Sequence, residues 1–110
     1  MMGETQPPIR IVDGRLMVED LSASRLAARF GTPLYVHSEA QLRANVIEWR
    51  EALAASWRHG PTRVLASLKA NPSVALRRIV SDAGAGCDVF GAAELEIGRA
   101  SCRERVLLTV

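Results

Sequence analysis

From Ser38 onward the chain alternates helix-period segments with short apolar runs, and this alternation restricts the fold more than any other feature. The first segment opens with Ser38-Glu39-Ala40-Gln41, a capping box in which the glutamine side chain stands three residues after the serine. Leu42, Val46, Trp49, Leu53 and Trp57 then recur at intervals of three and four, so one apolar stripe runs along a long helix that ends at His59-Gly60-Pro61. "TRVLASLK", residues 62–69, is a short, mostly apolar run of the kind expected for a strand buried on both faces. A second helix is expected over 71–86: Asn71 can cap it, Pro72 fits the first turn, and Gly84 or Gly86 ends it. "CDVFG" at 87–91 is another short strand, and "AAELE" at 92–96 begins a third helix. Helix, strand, helix, strand, helix is the order of a parallel α/β structure with right-handed crossovers. Two strands of such a unit leave their outer edges unpaired, so an incomplete fragment is expected.

Before Ser38 the pattern differs. "IRIVDGRLMVE" reads as a hairpin, two runs of β-branched and apolar residues around the turn pair Asp13-Gly14. "DLSASRLAARFG" reads as a short helix that Ser22 or Ser24 can cap and Gly31 can end. In "TPLYVHS" the alternation of Leu34 and Val36 against Tyr35 and His37 is a strand signal.

Composition narrows the function classes. In 110 residues, 48% hydrophobic and 24% charged describe a soluble globular chain. The formal charge of +2 is small and the arginines are dispersed among acids with no aromatic interleaving, which argues against nucleic-acid binding. No apolar run approaches the roughly 20 residues that span a bilayer, and the first ten residues lack the apolar core of a signal peptide, so a cytoplasmic chain without membrane contact is expected. Cys87 and Cys102 have neither metal-ligand spacing nor a secretory context, so neither a disulfide nor a metal site is expected, and Cys87 reads as a small buried residue. His37 and His59 show no partner pattern.

Lys69 is the one lysine among fourteen basic residues, and it stands where a buried strand runs into a loop and a helix. In a (β/α)₈ barrel that end of the strand carries the chemistry. A lysine amine can attack a carbonyl and form a Schiff base, which a guanidinium cannot. Partial burial among Leu65, Ala66, Leu68 and Ala70 would favour the neutral amine. A lysine that snorkels from a strand end or pairs with an acid is the alternative. Asp88, near the same end of the next strand, can hold or orient Lys69 or a cofactor it carries, or can merely flank the strand. Glu94 fits the first turn of the last helix, where a carboxylate meets the positive end of the dipole.

"FGTPLYVHSEAQLRAN", "LKAN" and "GAGCDVFGAAELE", in this order and at these separations, resemble the N-terminal part of the fold type III pyridoxal-phosphate decarboxylases over Ile9 to about Glu96. The resemblance implies the first part of a (β/α)₈ barrel with N-terminal strands contributed to an additional β-domain, hence residues 1–37 in the β-domain and 38–96 in the first βα units of the barrel. It implies that Lys69 forms the Schiff base with pyridoxal 5′-phosphate and that Asp88 lies beside it and the cofactor. It also implies a small amino-acid substrate, with meso-diaminopimelate decarboxylated to L-lysine as the expected reaction of the full-length protein, and a homodimer. Ornithine or arginine decarboxylases, and alanine racemase or a pyridoxal-phosphate-binding protein of the same fold, are the alternatives within the resemblance. A non-catalytic α/β module is the alternative outside it. Ala66-Ser67 and Gly91-Ala92-Ala93 depart from the family pattern beside the site and bear on the substrate more than on the cofactor. The phosphate loop and substrate ligands are expected beyond residue 110, which would leave the fragment itself inactive.

"EIGRASCRERV", residues 96–106, back-translates in one frame into a string that resembles a common short-read sequencing adaptor. Residues 97–110 are therefore expected to be a non-native tail.

Overall fold

The computed structural model describes residues 7–101 in full and the backbone of 106–108. Two compact units divide the chain, Met1–Gln41 and Leu42–Val110.

In the first unit β1 (Ile9–Val12) and β2 (Arg15–Val18) form an antiparallel hairpin in which Val12 pairs with Arg15. A two-residue loop of this kind requires left-handed backbone at both central positions, and Asp13 (φ 49°) and Gly14 (φ 73°) provide it. The short β3 (Leu21–Ser22) adds to β2, antiparallel. Ser22 then serves as N-cap of α1 (Ala23–Phe30), its Oγ accepting from the Arg25 N–H at 3.3 Å. Gly31 (φ 83°) closes the helix by donating its N–H to the Ala27 carbonyl at 2.8 Å. The strand expected in "TPLYVHS" does not form. Residues 31–37 are exposed irregular chain with Tyr35 at 90% exposure, and among the described residues no strand edge pairs with them. Alternation marks a strand only where an edge receives it.

Helix α2 (Glu39–Ser56) begins as the capping box requires, the Ser38 Oγ accepting from the Gln41 N–H at 3.1 Å. Its expected stripe is buried only in part. Val46 is buried and Leu42 and Leu53 half-buried, whereas Trp49 and Trp57 are mostly exposed. The helix stops at Ser56, before Trp57, whose ring meets His59 edge-on at 4.9 Å. Only the turn around Val46 faces the core of the second unit, and no described residue layer covers the rest of the stripe.

The second unit is built on a parallel sheet in the order β4 (Leu65–Ser67), β5 (Gly86–Val89), β6 (Val106–Leu108). The third strand corrects the expectation of a two-stranded sheet. With neighbours on both sides, β5 is the most buried element, Gly86, Cys87 and Val89 being fully enclosed. Ala66 and Val64 pack with Val46, Val80, Ala83 and Ala85 in one apolar cluster; Cys87, Val89 and Leu68 pack with Leu95 and Ile97 in a second. Cys87 is disulfide-bonded, which corrects the expectation of a free thiol there.

Helix α3 (Val74–Asp82) links β4 to β5, and α4 (Ala92–Ser101) follows β5. Ser73, and not Asn71, is the N-cap of α3. The Asn71 Oδ1 instead accepts from the Ser73 N–H at 3.0 Å, an Asx turn that leaves Pro72 outside the helix. The C-terminus is a Schellman motif: the Gly84 N–H bonds the Ser81 carbonyl at 2.9 Å and the Ala85 N–H bonds the Val80 carbonyl at 3.2 Å, while Val80 and Ala85 share the first cluster. Arg50 reaches this turn from α2, its Nη1 donating to the Ala83 carbonyl at 3.0 Å. Arg77 is buried on α3 and donates through Nη1 to the Ala66 carbonyl at 2.8 Å; its Nε has no partner, and burial pushes the guanidinium below its ordinary pKa.

Gly84 is left-handed (φ 96°), and a Cβ there would lie 2.6 Å from the Arg50 Nη1. Gly84→Ala is expected to lower unfolding free energy by about 2 kcal/mol, from the left-handed backbone and the displaced arginine. Urea denaturation checks it; an unchanged midpoint would contradict this description of the helix end.

Candidate functional site

Strand alternation sorts the residues of β4 and β5 between two faces. Ala66, Cys87 and Val89 point to the helices, as their clusters show. The parallel register pairs Ser67 with Asp88, so both stand on the opposite face. Beyond Ser67 the chain enters a single 3₁₀ turn, Leu68–Ala70. Leu68 is 0% exposed and anchors this turn, while Lys69 projects outward and is exposed. The expected partial burial of Lys69 among its apolar sequence neighbours is therefore not found. Those neighbours are spent on the core or on solvent, since Leu68 faces inward and Ala70 is exposed.

The Lys69 Nζ lies over the Phe90 ring, 4.6 Å from its centroid. Lys69 follows β4 at the end of the sheet where Asp88 stands on β5. Phe90 itself is fixed at its backbone: the Glu94 Oε2 accepts its N–H at 2.8 Å. Glu94 thus caps α4 from the first turn, the structural role its position suggested. The Ser67 Oγ is buried and makes no hydrogen bond, an unused donor on the face that carries Asp88. Sequence reasoning missed Phe90, and it marked Ser67 only as a departure from the family pattern beside the site. Phe90 was accessible through the two-residue period of β5, which puts it on the Asp88 face; for Ser67 no sequence signal announces a buried, unpaired hydroxyl.

The donor set suits an aldehyde cofactor held by an amine. One reachable lysine stands just past the C-terminal end of a parallel strand, and the carboxylate of Asp88 lies at the same end of the next strand. Among the described residues no three metal-ligating side chains cluster, and no helix is long and apolar enough to cross a membrane.

Consecutive parallel strands with crossover helices and functional groups at their C-terminal ends define part of a (β/α)₈-barrel enzyme. No family model matches the chain. Among curated proteins, the diaminopimelate decarboxylase of Methanocaldococcus jannaschii is 38% identical over 96 residues, 84% of this chain and 22% of that protein. The diaminopimelate decarboxylase of Actinosynnema pretiosum is 40% identical over 101 residues, 90% of this chain and 22% of that protein. A crystal structure of the Methanocaldococcus jannaschii diaminopimelate decarboxylase with L-lysine matches with a TM-score of 0.73 at 34% identity, covering 84% of this chain and 22% of the other. The chain is similar to diaminopimelate decarboxylases over most of its own length and spans about a fifth of the length of these relatives.

Because Glu94 satisfies an otherwise unpaired N–H at the start of α4, Glu94→Ala is expected to cost about 1 kcal/mol and Glu94→Gln much less. Chemical denaturation of the two variants distinguishes a cap from a surface carboxylate, for which both changes would be silent.

Proposed function

We propose that this chain supplies the cofactor lysine of a pyridoxal-phosphate-dependent decarboxylase that converts meso-diaminopimelate to L-lysine and carbon dioxide. The observation that carries this reading is the placement of the sole lysine in the turn that follows the C-terminal end of β4, next to the strand whose Asp88 pairs with Ser67. The names of the relatives support the substrate. The bound cofactor supplies an electron sink for the carbanion left when the α-carboxylate departs. Lys69, exposed on a short 3₁₀ turn with a buried anchor, offers its amine to the cofactor aldehyde. Asp88 lies one strand away and would hold or orient Lys69 or the cofactor it carries. The Ser67 hydroxyl, buried beside them, is a further donor for that face. A soluble cytoplasmic homodimer is the setting this reading implies.

Grafting residues 9–96 in place of the matching segment of the Methanocaldococcus jannaschii enzyme tests the assignment. The chimera is expected to release carbon dioxide from meso-diaminopimelate and, after borohydride reduction, to carry the cofactor on Lys69. In Lys69→Ala the rate is expected to fall at least about a thousandfold, as it does when a covalent catalyst is removed. Activity that survives this substitution, or an adduct on another residue, would contradict the reading.

A further inference from the structure

Phe90 is 48% exposed at the end of a strand whose preceding apolar residues, Cys87 and Val89, are 1% and 0% exposed. Its ring receives the Lys69 Nζ at 4.6 Å, well inside the roughly 6 Å reach of a cation–π contact. Both sides of this contact are tethered. The Glu94 carboxylate holds the Phe90 N–H at 2.8 Å, and buried Leu68 anchors the turn that carries Lys69. A lysine stem is otherwise a flexible chain of four carbons, so one contact at its tip selects among many rotamers.

We propose that Phe90 is a positioning residue that docks the Lys69 amine on its ring face and releases it to the cofactor aldehyde. The proposal deepens the assignment of Lys69 as the cofactor lysine and rests on it. In the loading step the Lys69 ammonium gives one proton to solvent, the neutral amine adds to the aldehyde carbon of pyridoxal phosphate, and its two N–H protons leave with the aldehyde oxygen as water as the C=N bond replaces the C=O bond. A docked amine has to leave the ring before it can add. The dock therefore restrains loading by about two- to fivefold, the factor that an exposed cation–π contact of ordinary strength represents.

The test uses the whole 110-residue chain. Because Lys69 is its only lysine, reductive methylation with ¹³C-formaldehyde labels Lys69 and the N-terminal amine alone. The Lys69 methyl signals are expected to be shifted upfield by the ring current, to lose that shift in Phe90→Leu, and to keep it in Phe90→Tyr. Pyridoxal phosphate is expected to add to Lys69 about two- to fivefold faster in Phe90→Leu than in the unsubstituted chain or Phe90→Tyr, with borohydride mapping to separate Lys69 from the N-terminus. Phe90→Met, which keeps volume without a ring, repeats the comparison should the leucine variant not give the native amide spectrum. An unchanged methyl shift in the folded ringless variants overturns the dock, and so does a lost shift with an unchanged rate of addition. The methyl shift is read without cofactor, so failure of pyridoxal phosphate to add at Lys69 leaves the dock to be judged on the shift, while the borohydride adduct in the chimera judges the proposed function.

Discussion

The register of β4 on β5 is the constraint on which the rest of the second unit depends. Pairing Ala66 with Cys87 and Ser67 with Asp88 sends the small and apolar side chains to the helices and the polar ones to the opposite face. A slip of one residue would exchange the faces. It would expose Cys87 and Val89, now fully enclosed, and turn the Asp88 carboxylate toward the apolar cluster with Leu95 and Ile97. Burying a valine-sized side chain is worth roughly 1.5–3 kcal/mol, and an unpaired buried carboxylate costs more than that. The hydrophobic effect, acting on one face, thereby fixes which reactive groups share the other.

Two arginines secure the helix that joins these strands, in different ways. Arg50 covers a left-handed glycine turn and takes up the Ala83 carbonyl, so the end of α3 and the start of β5 are held together. Arg77 is buried from the helix interior and clamps the Ala66 carbonyl, one residue ahead of Ser67. Its Nε has no partner, so the clamp costs desolvation that an apolar residue would not. What it provides is a fixed position for the strand end from which Lys69 emerges.

Much of this arrangement was legible in the sequence because local rules and tertiary demand agree. Asp13-Gly14 admits few alternatives to a tight hairpin, the Ser38 box starts α2, and Gly84 ends α3. The short apolar runs around Leu65 and Cys87 became adjacent parallel strands, as helix-strand alternation requires. The misses share a cause, dependence on partners that a local pattern does not contain. "TPLYVHS" alternates like a strand and pairs with none; Trp49 and Trp57 continue an apolar stripe that nothing described covers; Asn71 has the chemistry of a cap but turns on Ser73 instead. Lys69 and Asp88 were singled out as candidates from residue type and strand position, while the contact of Lys69 with Phe90 depends on a turn geometry that composition does not encode.

Backbone nuclear Overhauser contacts between β4 and β5 test the central claim most directly. The account predicts contacts in the register Leu65 to Gly86, Ala66 to Cys87 and Ser67 to Asp88, with the Lys69 ε-methylene protons close to the Phe90 ring. A register displaced by one residue would put Ser67 and Asp88 on opposite faces of the sheet and contradict the account.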